Sequence, residues 1–156
     1  MNLYSKIREV ANKKSSNLAY IYEGIKTNYG ELITFSDNLA QILNKNGIEK
    51  GDKIAILLGN SPAFVQSYLA ILKLGAIAIP LNPAFTESEI SYILNDSNTK
   101  LVIASNKQKE KLEVVSEHCS SLVNSILIEE IHYLEQSDEN QFDEHEIHND
   151  DPAVIL

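Results

Sequence analysis

Several groups of residues in this chain have types and spacings that could do chemistry. His145-Glu146-Ile147-His148 comes close to the zinc pattern H-E-x-x-H, in which two imidazoles one helical turn apart hold a metal and the glutamate activates water. Here the second histidine is one residue early, and an i, i+3 pair needs further ligands that the neighbouring sequence does not supply. Gly59-Asn60-Ser61-Pro62-Ala63 begins like the strand-to-helix turn that exposes a nucleophilic serine, but its second glycine is missing. Pro62 instead suits the first position of a helix and Ser61 its N-cap. His118 and Cys119 are adjacent, and adjacent helical side chains diverge, so Cys119 reads as a buried or idle thiol. The six glycines, at positions 24, 30, 47, 51, 59 and 75, form neither G-x-G-x-x-G nor G-x-x-x-x-G-K-[ST], the two turns that bring backbone N–H groups onto phosphates. No residue of the chain is therefore assigned a catalytic, cofactor-binding or metal-binding role.

The elements that would position such groups are more legible. Leu18 to Tyr22 and Ile25 to Tyr29 flank Glu23-Gly24, which predicts a small hairpin with a tight turn. From Tyr29 the period becomes helical, with Leu32, Phe35, Leu39, Ile42 and Leu43 on one stripe and Gly47 placed to end it. Lys53 to Leu58 is a compact apolar run of the kind buried on both faces of a sheet. A helix follows from Ser61, with Phe64, Val65, Tyr68, Leu69, Ile71 and Leu72 covering most of its circumference, and Gly75 stops it.

Ala76 to Leu81 is the next strand, turned away by Asn82-Pro83. Thr86-x-x-Glu89 is a capping box that starts a helix with Ile90, Ile93 and Leu94 on its apolar stripe. Leu101 to Ala104 predicts a strand, Lys107 to His118 a polar helix, and Ser125 to Glu129 a further strand. The alternation predicts an α/β fold: a mostly parallel sheet with right-handed crossovers and helices on both faces, opened by the hairpin. Ligands of such sheets bind beyond the carboxyl ends of the strands, here Leu58-Gly59-Asn60, Leu81-Asn82-Pro83 and Ser105-Asn106. No acid ends these strands, so a flavin or phosphoacceptor site of the flavodoxin type finds no residues.

Composition bounds the partners. The chain has 156 residues, is 44% hydrophobic and carries a formal charge of -9, which is globular composition with one cysteine and hence no disulfide framework. The acidity is local: Glu129 to Asp151 holds ten carboxylates and no Lys or Arg, leaving twelve acidic against thirteen basic residues before it. That segment reads first as a solvated loop connecting two parts, with a docking surface for a basic partner as the alternative. Scattered basic residues and an acidic excess speak against nucleic acid. The apolar runs fall far short of the roughly 20 residues that span a bilayer, and Met1 to Val10 has no signal-peptide core, so a cytoplasmic protein is expected. Three parts are expected: 1–128 as the α/β body, 129–151 as the acidic connection, and 152–156 as the start of a strand.

Thr27-Asn28-Tyr29-Gly30-Glu31-Leu32, Asn38-Leu39-Ala40-Gln41-Ile42-Leu43 and Gly47-Ile48-Glu49-Lys50-Gly51-Asp52-Lys53-Ile54-Ala55 resemble the opening of the AMP-forming acyl-CoA synthetases, within the adenylate-forming superfamily. Asn60-Ser61-Pro62-Ala63-Phe64-Val65, Ala70-Ile71-Leu72-Lys73-Leu74-Gly75-Ala76, Pro80-Leu81-Asn82-Pro83 and Tyr92-Ile93-Leu94-Asn95-Asp96-Ser97 continue the resemblance in the family's order. It is close over Ser15 to Ala104 and looser beyond; Asn28 and Leu74 depart from common choices without chemical consequence.

The resemblance implies a two-step reaction for the whole enzyme. A carboxylate attacks the α-phosphate of ATP, pyrophosphate leaves, and the CoA thiol displaces AMP. ATP, magnesium and CoA are thus implied for the full-length family, and none is assigned to this chain. Asp150-Asp151-Pro152-Ala153-Val154-Ile155-Leu156 resembles the strand that leads into the family's phosphate loop, T-S-G-[ST]-T-G-x-P-K-G. The resemblance therefore implies an N-terminal piece with a scaffold role, partnered by the remainder of the synthetase chain and prone to self-association when alone. Asn82 stands where amino-acid-activating domains more often have aspartate, which favours a fatty-acid or aryl CoA ligase. The competing expectation is a stand-alone interaction module or gene remnant that binds a partner through an exposed apolar face.

Overall fold

The computed structural model describes residues 3–131 and 146–156. The order is α1 (Leu3–Lys14), β1 (Leu18–Tyr22), β2 (Ile25–Asn28), α2 (Tyr29–Lys45), β3 (Lys53–Leu57), α3 (Pro62–Lys73), β4 (Ile77–Pro80), α4 (Glu87–Ser97), β5 (Leu101–Ala104), α5 (Lys109–Ser116) and β6 (Asn124–Leu127). Short 3-10 turns precede α5 and follow β6. β1 and β2 pair antiparallel, and the other four strands form a parallel sheet in the order β4-β3-β5-β6.

The two faces of that sheet are sorted by the alternation of side chains along each strand. From β3, Ile54, Ile56 and the following Leu58 pack with Leu39, Leu43, Ala70 and Ile71, so α2 and α3 cover one face. Ala55 and Leu57 pack with Ile90, Leu94, Leu112 and Val115, so α4 and α5 cover the other. The sequence expectation of a parallel sheet with helices on both faces and a hairpin ahead of it holds.

Local signals explain most of the boundaries. Glu23 and Gly24 both have positive φ, 49° and 80°, the pair of left-handed conformations that a two-residue hairpin turn demands. Thr86 accepts from the Glu89 N–H while Glu89 bonds the Thr86 N–H, the reciprocal cap the sequence announces for α4. An equivalent box at Asn28 and Glu31 starts α2.

The structure corrects three expectations. α1 has no counterpart in the sequence reading, although Leu3, Ile7, Val10 and Ala11 fall at helical spacing; Tyr4 and Ala11 are its buried residues and its anchor is polar. The Tyr4 hydroxyl donates to Asp37 Oδ1 at 2.5 Å and accepts from Arg8 at 2.8 Å, and Lys73 lies 2.9 Å from the same Asp37 oxygen. Burial, then the bond to Asp37, hold the Tyr4 phenol well above its usual range. Phe35 and Val65, expected on buried stripes, are exposed, because each sits at the margin of its helix's covered arc. The last sheet strand is Asn124–Leu127, and Ile128–Glu130 turns away in 3-10 geometry.

Leu69 is 1% exposed and packs with Tyr4, Leu32 and Leu72 where α1, α2 and α3 meet. Leu69→Asp places an uncompensated charge there and should cost about 4 kcal/mol or more, lowering Tm by roughly 10 °C or abolishing the transition. Thermal unfolding followed by circular dichroism checks this, and an unchanged Tm contradicts the placement of α3.

Candidate functional site

The carboxyl ends of β3, β4 and β5 form one edge of the sheet, and the groups there are committed to structure. Ser61 accepts from the Phe64 N–H at 3.4 Å and donates to the Gly59 carbonyl at 3.1 Å, which is the work of a helix cap. Asn82 Oδ1 accepts from the Ala84 N–H at 2.9 Å, closing the turn after β4. Lys111, from α5, donates to the carbonyls of Pro83 and Phe85 at 3.1 and 2.7 Å and ties that turn down. Glu129 accepts from the Asn106 N–H at 2.9 Å at the start of the 3-10 turn after β5.

The other sequence candidates are likewise placed apart from any reactive arrangement. Cys119 is buried, its thiol directed at the Ser91 carbonyl 3.8 Å away, and burial pushes that thiol up from its usual pKa. His118 is exposed, so the structure does not bring the pair together as nucleophile and base. His145 lies outside the described residues; Glu146 and His148 lie within them, engaged through their backbones with Lys50 and Asp151. Among the described residues no three His, Cys, Asp or Glu side chains converge as metal ligands. No helix among them is long and apolar enough to cross a membrane.

Residues 152–156 join the sheet beside β4. The Ala78 N–H donates to the Ala153 carbonyl and the Ile155 N–H to the Ala78 carbonyl, both at 3.0 Å, so Val154 sits parallel to β4 at the sheet's edge. A strand parallel to β4 travels toward the same carboxyl edge as β3, β4 and β5. At its other end, Asp151 is bonded to Lys50 Nζ at 2.7 Å and to the His148 N–H at 2.8 Å. A cleft of about 250 Å³ lies beside it, between Leu3, Tyr68 and Leu72 and the segment Ile147 to Ala153. Sequence reasoning missed Lys50 and Lys111, whose partners are 96 and 26 to 28 residues away and leave no local pattern.

The Lys50 hydrogen bond first, then the His148 N–H, hold the Asp151 carboxyl below its ordinary value of 3.8. A carboxyl with a lowered folded pKa contributes stability that is complete above about pH 5 and is lost as pH falls through the folded value. A carboxyl-carbon NMR titration should give Asp151 a midpoint below 3.8, moving back toward it in Lys50→Met. A midpoint at or above 3.8 in the unaltered chain contradicts the contact.

Comparison with known proteins gives the arrangement a context. The family described as AMP-binding enzyme matches residues 7–156. Among curated proteins, a long-chain-fatty-acid–CoA ligase of Bacillus subtilis is 34% identical over 101 residues, covering 65% of this chain and 18% of that protein. Surfactin synthase subunit 2 of the same organism is 32% identical over 117 residues, covering 73% of this chain and 3% of that protein. The chain thus spans less than a fifth of the length of either. Among solved structures, a fatty acyl CoA synthetase of Mycobacterium tuberculosis superposes with a TM-score of 0.77 at 26% identity, covering 82% of this chain and 26% of that one. The N-terminal domain of FACL13 from the same organism superposes at 0.85 over 99% of this chain and 41% of that one; at 24% identity this likeness speaks to the fold alone.

Proposed function

The chain belongs to the AMP-binding enzyme family, and from that premise we propose that it is the N-terminal scaffold of an AMP-forming acyl-CoA synthetase. The whole enzyme would join a fatty or related carboxylic acid to CoA, with ATP converted to AMP and pyrophosphate. Residues 1–128 form the α/β body in this reading, 129–151 the acidic connection, and 152–156 the beginning of the strand that leads to the phosphate loop. A cytoplasmic location belongs to the same reading.

The observation that carries the proposal is the parallel bridge between Ala78 and Val154. It seats Ala153-Val154-Ile155 beside β4, so that a loop following this strand would emerge next to Leu81-Asn82-Pro83 at the carboxyl edge, where sheets of this class bind ligands. Asn82 at that turn favours acid–thiol ligation over amino-acid activation, and the B. subtilis fatty-acid ligase shares 34% of the aligned residues.

What the chain contributes is position rather than chemistry. Transfer at the α-phosphate needs magnesium, backbone N–H groups and a lysine facing charge that develops on the phosphate. The carboxyl edge described above does not fit that need: Asn82 and Glu129 are occupied with backbone N–H groups, and Lys111 with two carbonyls. No step of the reaction is therefore assigned to residues of this chain. Its strands and helices form the rigid layer against which an active-site half would pack, joined through the remainder of the synthetase.

Substituted for the matching N-terminal part of the B. subtilis long-chain-fatty-acid–CoA ligase, this chain should support fatty-acid-dependent ATP–pyrophosphate exchange, and alone it should support none. Exchange by the isolated chain, or a folded chimera without it, overturns the proposal.

A further inference from the structure

The terminal strand is seated by few backbone bonds. Ala78 to Ala153 and Ile155 to Ala78 are the two that hold it against β4, and a strand paired so briefly at an edge is marginal by itself. Its approach carries side-chain bonds in addition. Lys50 Nζ donates to the Glu146 carbonyl at 2.6 Å and lies 2.7 Å from Asp151 Oδ2, so one ammonium ties together both ends of the stretch 146–151. Within that stretch the His148 N–H donates to the Asp151 carboxylate at 2.8 Å and the Asp151 N–H returns to the His148 carbonyl at 3.2 Å, closing a turn.

The same stretch is keyed into the turn before β4. Gly75 has φ of +67°, and a Cβ there would stand 3.1 Å from Lys50 Cγ and 3.2 Å from Ile147 Cγ1. Glycine suits the left-handed backbone, and a Cβ would press on Ile147 and the Lys50 stem, which lie in close contact with this turn. The Gly51 N–H donates to the Gly75 carbonyl at 3.0 Å, so the turns that begin β3 and β4 are themselves joined. The anchor is therefore a rigid corner of the sheet.

We propose that Lys50, with Ile147 seated on Gly75, is a positioning residue that latches 146–151 to the amino end of the sheet and fixes the register of the terminal strand on β4. Register matters because a slip of one residue exchanges the two faces of a strand and displaces whatever follows it by a full residue. Where the scaffold reading above holds, the displaced element is the phosphate loop; that consequence rests on the reading, whereas the latch does not.

Amide hydrogen exchange on the 156-residue chain tests the latch whether or not the ligase reading stands. The Ile155 and Ala78 amides report strand seating, and the amides of β5, at the centre of the sheet, report global opening. Lys50→Met keeps the alkyl stem and removes the charge and donors; it should speed exchange at Ile155 and Ala78 about fivefold to tenfold while leaving β5 unchanged. Lys50→Arg, which keeps charge and donors, should restore protection to within about twofold. Ile147→Ser should give the same local pattern as Lys50→Met without touching the ion pair. Unchanged exchange at Ile155 and Ala78 in both Lys50→Met and Ile147→Ser, equal acceleration in β5, or failure of Lys50→Arg to restore protection overturns the proposal.

Discussion

A parallel strand with both faces dry needs apolar cover on both sides, and β3 imposes that condition on everything around it. Ile54 to Leu57 are each 0% exposed, so from Ile54 onward neither face of the strand reaches water. Parallel neighbours require crossovers long enough to return to the starting edge, and the helices that make those crossovers also supply the cover. α2 and α3 close one face while α4 and α5 close the other, and the register of β3 with β4 and β5 follows from fitting both layers at once.

That arrangement gives the two ends of the sheet different tasks. At the amino end the turns before β3 and β4 are bound to each other, to Lys100 through Asp52, and to the terminal segment through Lys50. At the carboxyl end the polar groups hold short turns in place, with Lys111 and Glu129 bonded to backbone atoms of neighbouring loops. One end fastens the fold and the other presents short, tied-down turns.

Elements carried by dense local signals were legible in the sequence. The strands at Lys53, Ile77 and Leu101 read as short apolar runs, and Thr86 with Glu89 announced α4 by a pairing three residues apart. α1 does carry a helical period, with Leu3, Ile7, Val10 and Ala11 three or four apart, which reading Met1 to Val10 only for a signal-peptide core passed over; its anchor Asp37, 33 residues from Tyr4, leaves no local pattern. Phe35 and Val65 matched a helical spacing, yet spacing alone does not say how wide an arc the sheet covers. Of the candidate site only the terminal strand was legible, through resemblance; the Lys50–Asp151 pair was not, because nothing near either residue predicts the other.

The proposal that this chain is the scaffold of a larger ligase is tested most directly by the mass of the protein in its cell. Immunoblotting with an antibody raised against the α/β body, followed by intact mass measurement, should find a species several times heavier than the 17.4 kDa of this chain. A sole species at 17.4 kDa would contradict the proposal, because the chain would then stand without the remainder that the proposal requires.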